Sequence, residues 1–298
     1  MEAPAPVPAE RCALLAHLVD EPQAGTAPTA RRWACLEHRG AWPRDLAHHR
    51  DPDVVEFAMR ANAAGFRVQL IRRPGRPPGH ARTRVFLADT TPLAARTTEL
   101  SVEGPAELAS IPLPDAGEPL PGQVVADPLL LVCTHGRRDR CCALDGRALT
   151  KALVDVGEPH VWESSHLGGH RFAPTALVLP TGYLYGGLDA ETAVAARKAA
   201  CLGEVETALC RGRATWSPQG QVAELAVRAA TGLRGADALT VQGTTVRDRD
   251  GRAWEVEVEE QVGSARPTSC GALALPSVSL RATAVIPSAA HPVCSTPA

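Results

Sequence analysis

Two cysteines and two histidines in the middle of the chain have the residue types and the spacing of a metal centre. Cys133 and Cys142 are separated by eight residues, and His166 and His170 by three. Thiolate sulfur and imidazole nitrogen suit zinc, copper or an iron-sulfur cluster, whereas calcium and magnesium require oxygen ligands. The stretch therefore predicts a centre built on one of the softer metals, and the main choice is between zinc and an iron-sulfur cluster.

The spacing of these residues bears on that choice. A structural zinc site commonly takes its cysteines from a tight Cys-x2-4-Cys turn, and no Cys-x2-Cys occurs in the chain. The eight residues between Cys133 and Cys142 favour a loop that surrounds a group larger than a single metal ion, such as a two-iron cluster. Gly168 and Gly169 favour an open loop between the histidines rather than the helical face of a hydrolytic zinc site. The residues alone favour a cluster and leave zinc as the alternative.

Two motifs that contain these residues resemble the sucrase/ferredoxin-like family. They are CTHGRRDRCC at residues 133–142 and SSHLGGHRFA at residues 164–173, with weaker resemblance at residues 33–45 and 266–271. The resemblance implies a thioredoxin-like ferredoxin in which a 2Fe-2S cluster is held by Cys133, Cys142, His166 and His170. It also implies electron transfer with a redox partner protein. A carrier or sensor is therefore favoured over an enzyme, and no feature of a sugar hydrolase is present.

Other residues of the two motifs are predicted to support the ligands. Cys141 is an extra thiol that the spacing does not require, and we interpret it as a neighbour of the ligand set. Arg137 and Arg138 would raise the potential of a cluster and dock an acidic partner, although solvated loop charges explain them equally well. Gly168 and Gly169 indicate close approach of the backbone to the cluster, with a simple turn as the alternative.

Two histidine ligands would have a consequence for redox chemistry. Neutral imidazoles in place of two thiolates make a cluster less negative, so its potential rises, as in Rieske centres. An imidazole with a free ring N–H can exchange a proton when the iron changes oxidation state, which links potential to pH. The sequence thus predicts a carrier of relatively high, pH-dependent potential.

Two other functions remain open from the residues. The cysteines and histidines would hold zinc in a structural or scaffold protein. Alternatively, a thioredoxin-like thiol oxidoreductase would use Cys141 and Cys142, although it would lack the usual Cys-x2-Cys.

Two further patterns concern the ligand loop and a rival ligand set. Cys133 with His135 and Cys35 with His38 resemble the two halves of a Rieske pattern in reversed order. We treat that set as a minor alternative. Asp139 is predicted to tie down the ligand loop through an arginine.

The surrounding sequence predicts elements that place the ligands at strand ends. The order strand, helix, strand, strand, strand, helix is predicted twice, on either side of a proline-rich linker at residues 112–121. The first copy has strands at 32–38, 66–71, 84–88 and 97–102 and helices at 54–64 and 106–109. The second has strands at 129–133, 160–163, 175–179 and 183–186 and helices at 149–156 and 190–209. A helix at 221–230 and strands at 239–247, 253–259 and 277–285 follow.

This order predicts an α/β (α+β) fold of thioredoxin-like type. We hypothesise a degenerate tandem of two thioredoxin-like units plus a small C-terminal α+β appendage. The predicted domains are residues 1–115, residues 116–211 with the cluster, and residues 212–298.

Composition limits the classes of partner and compartment. The net charge of -2 offers no basic face for nucleic acid. The sequence shows neither a signal peptide nor an apolar run of about 18 residues, so no membrane partner and a cytoplasmic location are expected. Nine cysteines, an odd number spread along the chain, favour metal or redox use over a disulfide framework.

Overall fold

A computed structural model describes residues 11–75 and 82–288 of the chain. The helices in these ranges are α1 (Cys12–Leu18), α2 (Pro52–Ala63), α3 (Arg140–Asp155), α4 (Ala190–Cys201) and α5 (Pro218–Thr231), with 3-10 helices at Leu46–His48, Pro105–Ser110 and His170–Phe172. The strands are β1 (Arg32–Glu37), β2 (Phe66–Arg72), β3 (Thr83–Asp89), β4 (Arg96–Val102), β5 (Gln123–Val124), β6 (Leu129–Cys133), β7 (Val161–Ser164), β8 (Thr175–Leu179), β9 (Tyr183–Gly186), β10 (Cys210–Arg213), β11 (Leu239–Gln242), β12 (Thr245–Asp248), β13 (Ala253–Pro267) and β14 (Ala274–Ser288). None of the described helices has the length and apolar character that crossing a membrane requires.

Ten strands form one sheet in the order β10-β9-β8-β6-β7-β2-β1-β3-β4-β5. In the first half, β1 and β2 are parallel and β3 pairs antiparallel with β1. In the second half, β6 and β7 are parallel and β8 pairs antiparallel with β6. The halves join through β2 and β7, where Ile71 pairs with Ser164. The strands of both halves are therefore connected and paired in the same way. The α/β (α+β) class is confirmed. The thioredoxin-like assignment and the domain boundaries stay predictions.

Strand β6 is buried on both faces because helices and loops cover both sides of the sheet. Leu129 and Leu131 lie in one core cluster, whereas Leu130 and Val132 lie in a second cluster with residues of α3 and α4. Alternation of side chains along the strand produces this division. Full burial of each leucine contributes about 1.5–3 kcal/mol. This continuous apolar strand ends at Cys133 and gives that residue a rigid support.

Helix α3 begins at Arg140, earlier than the predicted start at residue 149. The carboxylate of Asp139 accepts a hydrogen bond of 2.8 Å from the backbone N–H of Cys141 and caps the helix. Cys141 and Cys142 therefore lie in the first turn of the helix, not in the preceding loop. A Cβ at Gly146 would lie 1.9 Å from the carbonyl oxygen of Cys133. Because glycine occupies this position, the helix packs directly against the end of β6.

The remaining differences from prediction lie mostly after residue 190. Helix α4 ends at Cys201 rather than at residue 209, and Cys201 is exposed. The predicted strand 239–247 is interrupted at Gly243, which has φ +63°, and forms the hairpin of β11 and β12. Helix α1 and strands β5 and β10 are not predicted by the sequence patterns.

The C-terminal unit consists of α5 and a four-stranded sheet in the order β11-β12-β13-β14. A buried polar network fixes α5 to the large sheet. In this network Arg228 Nη2 lies 2.9 Å from Tyr183 Oη and 3.0 Å from Glu224 Oε1. The long hairpin of β13 and β14 extends back to the N-terminal end of α3. At its tip the backbone N–H of Cys270 donates to Asp139 Oδ2 at 2.9 Å.

Candidate metal centre

Cys133 and Cys142 lie side by side at the junction of β6 and α3. Both residues are buried. Each sulfur lies 3.9 Å from Nδ1 of His166, which follows β7. The three donor atoms all lie within 4.8 Å of one another. Parallel pairing of β6 with β7 explains this, because it brings the ends of both strands to the same edge of the sheet.

His170 lies beside this group. Its ring centroid is 5.2 Å from that of His166, and its Nε2 is 3.8 Å from Asp139 Oδ2. Its Nδ1 is buried and has no hydrogen-bond partner among the described residues. Three of the four residues predicted as ligands, Cys133, Cys142 and His166, are thus brought together, and His170 lies next to His166 outside that group. The sulfurs of Cys133 and Cys142 and a ring nitrogen of His166 are close enough to bind one group. His170 contributes a buried Nδ1 that has no hydrogen-bond partner among the described residues.

The protonation of these groups is set by their mutual contacts. A hydrogen bond from Cys142 lowers the pKa of the Cys133 thiol well below its usual value. The same contact, together with burial, raises the pKa of Cys142. Burial lowers the pKa of His170, and this effect is larger than the increase in pKa that the negative charge of Asp139 causes. The contacts therefore favour the thiolate form of Cys133, the thiol form of Cys142 and the neutral form of His170, and metal binding would displace the thiol proton.

The turn between the histidines depends on two glycines and a buried arginine. Gly168 has φ +90° and Gly169 has φ +69°. Arg211 Nη1 donates to the carbonyl oxygen of Gly168 at 3.0 Å. A Cβ at Gly169 would lie 2.2 Å from Arg211 Nη2. The turn conformation and the packing of Arg211 account for both glycines.

Gly169→Ala should destabilise the protein more than Gly157→Ala. Gly157 has φ +72° and open space around it, so alanine there should cost only about 1–2 kcal/mol of backbone strain. At Gly169 the overlap with Arg211 should add about 1–3 kcal/mol. Denaturant unfolding of both variants would measure the difference, and equal costs would contradict the packing role of Arg211.

Arg211 is the residue near this site that sequence reasoning missed. Its side chain is fully buried, and burial lowers its pKa to about 9. Negative charge on the nearby Cys133 favours its cationic form. Its position 43 residues after Gly168 left no local signal in the sequence.

Cys141 belongs to a second group of donor atoms, together with Cys12, Cys270 and Asp139. A hydrogen bond from Cys12 lowers the pKa of Cys141 to about 6. Burial acts to raise the pKa of Asp139, but hydrogen bonds from the backbone N–H groups of Cys270 and Cys141 outweigh it and lower the pKa. The prediction that an arginine holds Asp139 is wrong, because its partners among the described residues are these amides, Ser269, His170 and the Cys12 thiol.

The reversed Rieske pattern is not assembled. Among the described residues, the groups of three or more potential ligands include neither Cys35, His38 nor His135. Nε2 of His38 instead lies 3.3 Å from Nε2 of His49, and Cys35 is buried in the middle of β1.

Positive charge surrounds the outer side of the site. Arg137 and Arg138 are exposed and take part in none of the ion pairs recorded within residues 11–75 and 82–288. A surface pocket beside His166 is lined in part by Arg44, Arg67 and Arg138. An approaching molecule would therefore meet a basic surface.

Comparison with known proteins supports the resemblance seen in the motifs. A family model described as sucrase/ferredoxin-like matches residues 23–221, two thirds of the chain. This range contains all four predicted ligands, whereas Cys12, Cys270 and the motif at residues 266–271 lie outside it. No curated protein and no solved structure matches the chain.

Proposed function

This chain belongs to the sucrase/ferredoxin-like family, and we propose that it binds a 2Fe-2S cluster and carries single electrons. Cys133, Cys142, His166 and His170 would be the ligands. The observation that carries the proposal is the convergence of two buried thiols with the His166 imidazole at one edge of the sheet, with the His170 ring beside His166. When bound, the cluster would supply one-electron oxidation and reduction.

The donor set fits a cluster whose two irons have different ligands. The thiols of Cys133 and Cys142 contact each other, and the rings of His166 and His170 lie next to each other. Such pairs suit one iron with two thiolates and one with two imidazoles, as in Rieske centres. Both histidines would bind through Nδ1, because His166 directs Nδ1 at the sulfurs and His170 has its buried Nδ1 unused.

Residues around the ligands would adjust the potential. The carboxylate of Asp139 lies on the Nε2 side of His170, where it would orient the ring and favour a proton on Nε2. Buried Arg211 would favour the more negative, reduced state of the centre. These contacts support a relatively high potential that depends on pH.

A redox partner protein with an acidic face would exchange the electron. Exposed Arg137 and Arg138 and the arginine-lined pocket beside His166 support docking by charge complementarity. We further propose a cytoplasmic location. The eight cysteines that the structure describes are all free thiols, which suits a reducing compartment.

One observation favours a second candidate function. The mutual distances among the donor atoms of Cys133, Cys142 and His166 also fit a single tetrahedral zinc ion. The protein would then be a structural or scaffold protein. A thiol oxidoreductase using Cys141 and Cys142 as a pair has less support, because these neighbouring thiols belong to different groups.

Metal analysis of anaerobically purified protein tests the proposal. We expect about two irons and two acid-labile sulfides per chain, with a visible spectrum that bleaches on addition of dithionite. Colourless protein with zinc at Cys133 and Cys142, located by loss of that zinc in Cys133→Ser, would establish the second candidate instead. Reconstitution with iron and sulfide under reducing conditions would control for loss of a labile cluster during purification.

A further inference from the structure

Three cysteines from distant parts of the sequence meet at the N-terminal end of α3. Cys12 begins α1, Cys141 lies in the first turn of α3, and Cys270 lies at the tip of the β13–β14 hairpin. Cys12 and Cys141 are 129 residues apart, and Cys141 and Cys270 are another 129 apart. Nothing in the proposed electron transfer requires these three thiols to be together.

The three sulfurs have the spacing of ligands on one tetrahedral ion. The Cys12–Cys141, Cys141–Cys270 and Cys270–Cys12 sulfur distances are 3.7, 3.4 and 3.7 Å. Zinc–sulfur bonds of about 2.3 Å in a tetrahedron place the sulfurs about 3.8 Å apart. A disulfide would join two sulfurs at about 2.05 Å and leave the third without a role. The nearly equilateral triangle therefore fits a shared ion better than a pairwise bond.

A buried carboxylate completes the group. Asp139 Oδ1 is 3.7 Å from the Cys12 sulfur, and the Asp139 side chain is only 1% exposed. An oxygen and a sulfur on one tetrahedral zinc are about 3.6 Å apart. The second oxygen accepts hydrogen bonds from the backbone N–H of Cys270 at 2.9 Å and from Ser269 Oγ at 3.1 Å. These bonds hold the carboxylate in place, as partners of metal ligands commonly do.

We propose that Cys12, Cys141, Cys270 and Asp139 bind one structural zinc ion. A set of three sulfurs and one carboxylate oxygen suits zinc, because calcium and magnesium avoid thiolates. Four ligands and burial leave no open position for a substrate, which is typical of a structural zinc. The divalent ion would also offset the charge of the buried carboxylate and thiolates, which is costly without a cation.

The zinc would fasten helix α1 and the tip of the β13–β14 hairpin to the N-terminal end of α3. It would connect α1, the N-terminal end of α3 and the hairpin tip, so that two very long loops are closed at one point. Asp139 would link this site to the candidate cluster, because its second oxygen lies 3.8 Å from His170 Nε2. Cys141 and Cys142, adjacent in sequence, would each serve a different metal.

Zinc X-ray absorption of the complete, unmodified protein tests the proposal directly. We expect about one zinc per chain with three sulfurs at about 2.3 Å and one oxygen at about 2.0 Å. Zinc at Cys133, Cys142 and the histidines would instead show two sulfurs with nitrogen ligands and would overturn the proposal. Absence of zinc in protein purified without chelators, with the three thiols oxidised or freely titratable, would also overturn it.

Single cysteine substitutions test which residues bind the zinc ion. Cys12→Ser and Cys270→Ser should each lose most of the zinc and lower the melting temperature, whereas Cys133→Ser should lose iron and retain zinc. Cys201→Ser, which changes an exposed cysteine, is the matched control and should keep both metals.

Retention of one zinc in both Cys12→Ser and Cys270→Ser would overturn the proposal. If either variant fails to fold, the absorption measurement on the unmodified protein still decides. Iron and zinc are counted separately, so failure of the cluster proposal would not be confused with failure of this one.

Discussion

Cys142→Ala protein should purify without iron or acid-labile sulfide, whereas Cys141→Ala protein should keep both. The sulfur of Cys142 lies 3.9 Å from His166 Nδ1, and the sulfur of Cys141 lies 3.4 Å from that of Cys270. Successive residues in the first turn of a helix point in directions about 100° apart, so the two thiols reach different groups. The loss in Cys142→Ala should be nearly complete, because Cys133 would then be the one thiol left in the group to hold a cluster.

Iron, sulfide and zinc content, with the visible spectrum, measure this outcome. Cys210→Ala is a suitable control, because Cys210 is also buried but lies in β10 and belongs to neither group. It should retain iron and zinc. The opposite pattern, with iron lost in Cys141→Ala and kept in Cys142→Ala, would show that the ligand is the other cysteine of the pair. Far-UV circular dichroism of each variant would separate loss of metal from loss of fold.

Changing either candidate histidine ligand to cysteine should lower the reduction potential. A thiolate adds negative charge where a neutral imidazole was bound, and the potentials of Rieske and all-cysteine clusters indicate a fall on the order of 100 mV or more. The pH dependence should weaken as well, because one ring N–H no longer exchanges a proton. His166→Cys and His170→Cys should show both effects if both imidazoles bind iron.

Spectroelectrochemical titration at several pH values between about 6 and 9 measures these shifts. His48→Cys is the control, because His48 is exposed and belongs to neither donor group. It should leave the potential unchanged. An unchanged potential in His166→Cys or His170→Cys, with the cluster still present, would contradict ligation by that histidine.

Local patterns predicted most of the elements around the candidate site. The run from Leu129 to Val132 is apolar because β6 is buried on both faces, and such runs are typical of central strands. The start of α3 was misplaced because apolar periodicity begins only at Leu149. The helix in fact begins where Asp139 caps it, and a cap is a single side-chain hydrogen bond without periodicity. Helix α1 was missed because seven residues carry little periodic signal.

The sequence by itself determined the α/β class and the family, and it identified Cys133, Cys142 and His166, which meet at the end of β6, and His170 beside them. These follow from short-range features: apolar strands, the spacing of Cys133 and Cys142, and the pair His166 and His170. Only the tertiary structure decided which neighbours complete each group. Arg211 comes from β10, and Cys12 and Cys270 come from opposite ends of the chain. No spacing rule links residues 258 positions apart, because their proximity results from packing of α1 and the β13–β14 hairpin against α3 rather than from any local conformation.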